Sequence, residues 1–580
     1  MPGRTLEMTG KSPLGSVSLG AVPLRLEQWY AETHPTFTRT PPMTAIRSRA
    51  VAFASVLALA ACSQAPEPSK ASEQASATNA SSGAAAGGHG EGIAWIKDDV
   101  DGAFVRARAD HKPLFLYWGA VWCPPCNQVK ATLFNRQDFI DRSSHFVPVY
   151  IDGDSAGAQK LGERFKVVGY PTMILFNPEG REIMRLPGEA DPDAYMQLLA
   201  LGMNGARPVK ETLHAALAPR EKAAKLSPDD WRMLAYYSWV TDEQQLMPEK
   251  EVAPTLKRLA QTCPGDQKET AVRLHLKALA AAATAKDAKP AADAEAIGQL
   301  TAVLADPKLT RENFDALTEY ADKIAGYVTE PKSAERARLV TEWSSGLDRL
   351  IADTTLSTAD RLVAVGAKVA LARLDGNTKP LSPALEKTVR DQVARADDET
   401  KDPYARQAVI DAAADAFIQA GLLDDAEKLL RAELKRSHAP YYFMVDLAEV
   451  AKKRGDNTAA LDWYAQSYAA AKGPATRVQW GTRYVSAITE LKPQDAAGVE
   501  RAAQAVVAEL EPVPDTFYDR NLRALERMGR KLNEWGKQGD QKAALERIRA
   551  RMDEVCAKLP KGDPARAKCS GALRAQSANA

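Results

Sequence analysis

Over 580 residues, 76 Lys and Arg stand against 75 Asp and Glu, a formal net charge of +1. That balance argues against a general nucleic-acid binder, which would show a basic excess. A hydrophobic share of 45% fits ordinary globular domains rather than a collagenous or disordered chain, and the absence of any run of about 18 apolar residues excludes a polytopic membrane protein.

Residues 1–42 show no sustained periodicity and read as a mis-assigned upstream extension, with Met43 as the start. Arg47 and Arg49 then precede the apolar stretch Ala50–Ala61. Such a stretch is too short to span a membrane and has the form of a secretory signal. Leu59-Ala60-Ala61-Cys62 is similar to a bacterial lipobox. The resemblance implies that 43–61 is a lipoprotein signal peptide and that Cys62 is acylated. Cys62 would then begin a mature chain of 580 − 61 = 519 residues. It also implies, through Ser63, an outer-membrane address facing the periplasm. The alternative is an ordinary signal peptide with a chance cysteine. Residues 1–61 hold six basic and three acidic residues, so the remainder carries 70 against 72 and offers no basic patch to lipid. Attachment would rest on the acyl chains. Residues 62–91, rich in Ser, Ala and Gly, have little to bury and read as a flexible tether with a reach of roughly 30 Å.

From 92 to 205 strands alternate with helices. Ile96–Asp110 reads as a helix and Pro113–Trp118 as a short buried strand. Trp122-Cys123-Pro124-Pro125-Cys126 follows, then a helical run through Val129, Leu133 and Phe134. Phe146–Ile151 is a second strand, Ala158–Phe165 a helix, and Pro171–Phe176 a third strand ending in the turn Asn177-Pro178-Glu179-Gly180. Arg181–Leu186 pairs next, and Pro192–Leu199 closes with a helix. A Cys-x-x-Cys at a strand-to-helix junction and a Gly-x-Pro-Thr opening a later strand form one coherent set.

Trp122-Cys123-Pro124-Pro125-Cys126 resembles the thioredoxin active site, and Gly169-Tyr170-Pro171-Thr172 resembles the loop whose proline is cis in that superfamily. The context is similar to the secreted thioredoxin-like branch. That branch includes the C-terminal domain of the membrane thiol–disulfide interchange protein. The resemblance covers about 110 residues. It implies a thioredoxin fold, Cys123 as nucleophile, Cys126 as resolving thiol, and Trp122, Tyr170 and Pro171 as client-binding residues. Two positions depart from the family. Tyr117 stands where thioredoxins usually carry a buried proton-relaying acid, and Asn127 where a lysine is common. Asp152 and Asp154 read as loop residues rather than substitutes for that acid.

The chemistry has its own physical basis. Disulfide exchange needs an accessible thiolate, and a helix N-terminus lowers a thiol pKa through its unsatisfied N–H groups and partial positive charge. Cys126, one turn further on, is placed to attack a mixed disulfide. Both prolines are tolerable because first-turn N–H groups lack helical partners. Pro171 would leave an unhindered backbone edge for an extended client. A zinc half-site would need further Cys or His ligands nearby, and His111 and His145 are isolated, so no metal is expected. A purely structural disulfide is the other alternative.

Residues 206–580 carry hardly any strand signal. Gly421 and Gly455, Ala426 and Ala460, and Pro440 and Pro474 are each 34 apart, the period of tetratricopeptide helix pairs. The region therefore reads as an irregular tetratricopeptide-like helical array, with 281–294 as an internal loop. Trp231, Tyr236, Tyr237, Trp239, Tyr441, Tyr442, Trp463, Trp480 and Trp535 are read as packing between helices, or else as a concave binding surface. Of the 6 cysteines, Cys556 and Cys569 are read as a structural disulfide. Cys263 is left buried and inert, or a second redox site.

The whole reads as an α/β thioredoxin fold followed by an all-α repeat-like region, in an envelope thiol–disulfide oxidoreductase with no cofactor beyond the Cys123–Cys126 pair. It would reduce disulfide-containing envelope proteins, take electrons from a membrane thiol donor, and use the array to recruit a protein partner. A rival reading makes the array the working part and the thioredoxin fold an adaptor; a third is a reductase for cytochrome maturation.

Overall fold

The computed structural model describes residues 91–574 apart from 187–190, 204–206, 219–225, 240–241, 243–244, 291, 378, 512–513 and 538–540. The upstream extension, the signal segment, Cys62 and nearly all of the tether lie outside the described residues.

Strand β1 (Ile96–Lys97) leads into helix α1 (Val100–Ala109). The sequence reading had made one helix of these residues. Asp99 instead caps α1, its carboxylate accepting the Gly102 N–H at 2.9 Å, and Ile96 and Lys97 add an edge to the sheet. Then come β2 (Leu114–Gly119), α2 (Pro124–Val129), a π-type turn over Lys130–Phe134, α3 (Gln137–Ser143), β3 (Val147–Asp152), α4 (Ala158–Phe165), β4 (Thr172–Phe176), β5 (Glu182–Leu186) and α5 (Pro192–Met203). Helix α3 carried no signal strong enough to be read beforehand. The sheet order is β1-β3-β2-β4-β5; β3 runs parallel to β1 and β2, whereas β4 runs antiparallel to β2 and β5.

The central strand β2 is buried along its whole length, as expected of a strand covered on both faces. Phe115 and Tyr117 point to one face, where Phe134, Phe139 and Phe146 meet them in edge and tilted contacts. Trp118 points to the other, against Phe165. The first core does not stop at α5. Val209, Leu213, Trp231, Leu234, Tyr237, Trp239, Leu256 and Leu274 belong to the same buried cluster as Phe115 and Tyr117. Packing is thus what Trp231, Tyr236, Tyr237 and Trp239 do.

Beyond α5 the described residues form helices and no strand. Side-chain caps recur at their starts, as at Ser357, Asp402, Asp456 and Asp495. The 34-residue spacing has a local cause. Pro440 and Pro474 are first residues of the helices Pro440–Lys453 and Pro474–Leu491. Gly421 and Gly455 follow helix ends at φ +79° and +77°, a conformation that favours glycine. The helix Lys268–Ala283 runs into the expected loop, and the next helix begins at Ala294. Cys556 and Cys569 are joined, with Cα atoms 5.6 Å apart and both sulfurs buried; a loop of this size contributes about 3 kcal/mol. Cys263 is half-buried rather than buried, and burial pushes its thiol up to about 11. Among the described residues no helix is long and apolar enough to cross a membrane.

Candidate active site

The site is built on the β2–α2 junction. Cys123 is the N-cap of α2, and its sulfur accepts the Cys126 N–H at 3.2 Å. Pro124 and Pro125 occupy the first turn and offer no N–H of their own. Cys126 lies one turn on, and the two sulfurs are bonded to one another, with Cα atoms 5.2 Å apart. Cys123 Sγ lies 3.4 Å from the Tyr170 carbonyl oxygen, and the Tyr170–Pro171 peptide is cis. Residues far apart in sequence therefore converge at one point, Trp122, Cys123 and Cys126 from one loop and Tyr170 and Pro171 from another.

Asn127, the departure after the second cysteine, braces this loop. Its amide nitrogen donates to the carbonyls of Val121 and Cys123, both at 2.8 Å. Tyr117 does not replace the missing acid. Its hydroxyl is buried without a hydrogen-bond partner among the described residues, and burial together with the nearby Asp152 charge raises its pKa above the ordinary tyrosine value. It stays neutral and packs, stacked on Tyr150 with ring centroids 5.3 Å apart. Asp152 ends β3, where burial raises its carboxyl.

The expected open edge is covered. Cys123 and Cys126 each have 0% exposure, and Trp122 has 2%. The cover is the helical region itself, brought over the site by a fold that no local pattern reveals. The Trp122 indole N–H donates to Thr476 Oγ1 at 2.8 Å. Its carbonyl accepts from Gln407 Nε2 at 3.1 Å, and Gln407 in turn accepts from Ser437. Tyr442 stacks on the Trp122 ring at 6.0 Å, and Trp480 meets it edge-on at 4.8 Å. His438 Nε2 lies 3.0 Å from the Val121 carbonyl oxygen. On the other side, the Arg520 guanidinium sits 4.5 Å over the Tyr170 ring and donates to the Val168 carbonyl at 3.1 Å. Arg523 donates to the Val167 carbonyl at 2.9 Å.

Two carboxylates are exchanged across this contact. Asp154, in the turn after β3, accepts the Thr476 N–H at 2.8 Å and its hydroxyl at 2.5 Å, and so caps the helix Pro474–Leu491. Asp515 accepts the N–H groups of Gln159 and Lys160 at 3.3 and 2.9 Å at the start of α4. Burial pushes the Asp154 carboxyl up to about 6, more than its hydrogen bonds lower it. A raised acid costs the folded form nothing below its unfolded value near about 4, and the cost grows as pH rises through the folded value. Near neutrality the desolvation of ionised Asp154 thus outweighs what its hydrogen bonds contribute.

Of the residues gathered here, Tyr442 and Trp480 had been noted only among recurring aromatics. Thr476, Gln407, Arg520 and Arg523 carried no sequence signal.

A family model described as a thioredoxin-like domain matches residues 100–202, a span that holds both cysteines and the cis-proline. The chain carries a thioredoxin-like domain, followed by a helical region. It is 29% identical over 103 residues to the thiol:disulfide interchange protein DsbD of Pseudomonas fluorescens, covering 17% of this chain and 18% of that protein. It is 26% identical over 102 residues to DsbD 2 of Pseudomonas aeruginosa, covering 17% of each. The chain thus matches under a fifth of the length of these curated relatives. A solution structure of a proposed disulphide-isomerase from Bacteroides thetaiotaomicron shares 27% identity over 20% of this chain and 96% of that one, with a TM-score of 0.18.

Proposed function

We propose that the protein is an envelope thiol–disulfide oxidoreductase that reduces disulfides in client proteins through Cys123 and Cys126. The observation that carries this reading is the pair itself. One sulfur sits at a helix N-terminus with a backbone N–H directed at it, and the second sulfur stands one turn away within bonding reach. Likeness to thiol:disulfide interchange proteins supports it.

In the reducing direction the Cys123 thiolate attacks a client sulfur, forming a mixed disulfide and releasing one client thiolate, which takes up a proton. The Cys126 thiolate then attacks Cys123 Sγ. The Cys123–Cys126 disulfide forms and the second client thiol leaves. Two electrons and two protons pass to the client, and a thiol donor at the membrane restores the dithiol. Trp122, Tyr170 and Pro171 would bind the client backbone. Anchoring through an acylated Cys62 would keep the domain at the envelope surface. Cys62→Ala is then expected to move the protein from the membrane to the soluble fraction; retention after a salt wash would refute the anchor.

Cys126→Ser should accumulate mixed disulfides through Cys123, because the resolving attack is lost, whereas Cys123→Ser should accumulate few. Non-reducing electrophoresis of the two variants tests this, and equal trapping by both would overturn the assigned roles. One observation favours the rival reading, in which the helical region is a binding scaffold: it buries both sulfurs in this structure. Absence of trapped species from both variants would favour it.

A further inference from the structure

We propose that the helical region is a gate: it occupies the face that a client must use, and exchange at Cys123 requires its displacement. This rests on the oxidoreductase reading above.

Attack on a disulfide needs an incoming sulfur in contact with the thiolate, yet neither cysteine has any exposed surface. An extended client would also need the loop around Tyr170 and Pro171. That loop's carbonyls at Val167 and Val168 already accept from Arg523 and Arg520, and the Tyr170 ring is covered by Arg520. The cover therefore excludes clients from both the reacting atoms and the docking edge.

The attachment is asymmetric. On one side the first helices after α5 are welded to the sheet by a continuous apolar core, through Leu213, Trp231, Tyr237 and Leu256. On the other side the segments around Gln407, Thr476 and Arg520 hold the active-site face by one aromatic cluster, Tyr442 and Trp480 against Trp122, and by a series of polar contacts. The polar contacts include the Trp122–Thr476–Asp154 chain, the Gln407 bond to Trp122, the Asp515 cap on α4, and the Lys568–Glu163 ion pair at 2.5 Å. Each such bond adds little net, because water replaces it on opening. A continuous apolar core fixes one side, whereas a single aromatic cluster ringed by re-solvatable bonds holds the other, which is the construction of a hinged cover. Val121, immediately before Trp122, is 44% exposed, so the seam reaches solvent one residue from the buried indole.

Two glycines let the surfaces close. A Cβ at Gly162 in α4 would lie 2.4 Å from Asp519 Oδ2. A Cβ at Gly473, whose φ is +91°, would lie 2.3 Å from Asp154 Cγ. Gly162→Leu should favour α4 as a helix while wedging the seam; Gly473→Ala wedges it from the opposite side.

The test is the alkylation rate of Cys123 by iodoacetamide in the full chain, isolated as the dithiol and read by peptide mass. In the native wild type Cys123 is expected to react at least about tenfold more slowly than in the same chain unfolded in urea. Gly162→Leu and Gly473→Ala should recover most of that rate while keeping their helical circular dichroism. Thr476→Val, which only removes hydrogen bonds, serves if a wedge variant fails to fold, and should accelerate the reaction in the same direction. Native wild-type Cys123 reacting as fast as the unfolded chain would overturn the gate, and so would folded variants no faster than wild type. Alkylation needs neither client nor donor. Wedge variants that expose Cys123 yet never reduce a client would refute the oxidoreductase reading and leave the closure standing, whereas an unprotected wild-type Cys123 that does reduce clients would refute the gate alone.

Discussion

Arg406→Ala should lower the stability of the chain by about 3–5 kcal/mol, the usual cost of removing one partner of a buried ion pair. Arg406 lies in the helix Pro403–Ala420 and donates to Glu433 at 2.5 Å, to the Asp397 carboxylate at 2.7 Å, and to the carbonyls of Asp397 and Thr400 at 3.0 and 2.8 Å. Glu433 is 2% exposed, so the substitution leaves a buried carboxylate stripped of the guanidinium that pairs with it. Arg406→Met combined with Glu433→Leu should recover most of the loss, because a buried pair gains little over apolar side chains that fill the same volume. The midpoint of urea unfolding measures both. An Arg406→Ala midpoint equal to wild type would show that this pair does not hold the helix. Gln407, the next residue, is bonded to the Trp122 carbonyl, so the single substitution should also hasten alkylation of Cys123.

The Cys123–Cys126 couple should have a reduction potential of about −200 to −270 mV, toward the reducing end for pairs of this kind. Stabilising the thiolate makes a pair oxidising, and this site does little to stabilise it. Pro124 and Pro125 remove two N–H groups, leaving the Cys126 amide as the donor to Cys123 Sγ. Asn127, in place of a cation, spends its amide on the Val121 and Cys123 carbonyls. The Trp122 N–H is directed at Thr476. Burial adds a desolvation cost to the anion. Equilibration of the full chain in a glutathione buffer series, with alkylation and mass readout, gives the value. A potential near −120 mV, the strong-oxidant end, would refute the argument and point to a disulfide-forming activity.

The chemistry-bearing residues were legible because their signals are local. A Cys-x-x-Cys at the start of a helix needs only its own turn to bring two sulfurs together. The buried strands β2 and β4 announced themselves as short apolar runs bounded by turn residues. Strand β1 was not legible, since two residues have no periodicity and become a strand only because β3 runs beside them. Cys556 and Cys569 could be paired from their spacing, with a Pro- and Gly-containing turn between them.

Accessibility was not legible at all. The sequence reading expects an accessible thiolate and a free edge at Pro171, and the tertiary structure reverses it. Trp122 and Thr476 are 354 positions apart, and Gln159 and Asn521 are 362 apart. Thr, Gln and Arg side chains occur on every soluble helix, so nothing in their neighbours marks them as partners of an active site. The sequence by itself determined the fold of the thioredoxin-like domain, the pairing of Cys123 with Cys126 and the helical character of the rest, because those depend on propensity and on contacts within a few turns. Only the tertiary structure decided whether another molecule can reach the sulfurs, because that depends on where a long helical chain comes to rest, through many weak bonds between residues remote in sequence.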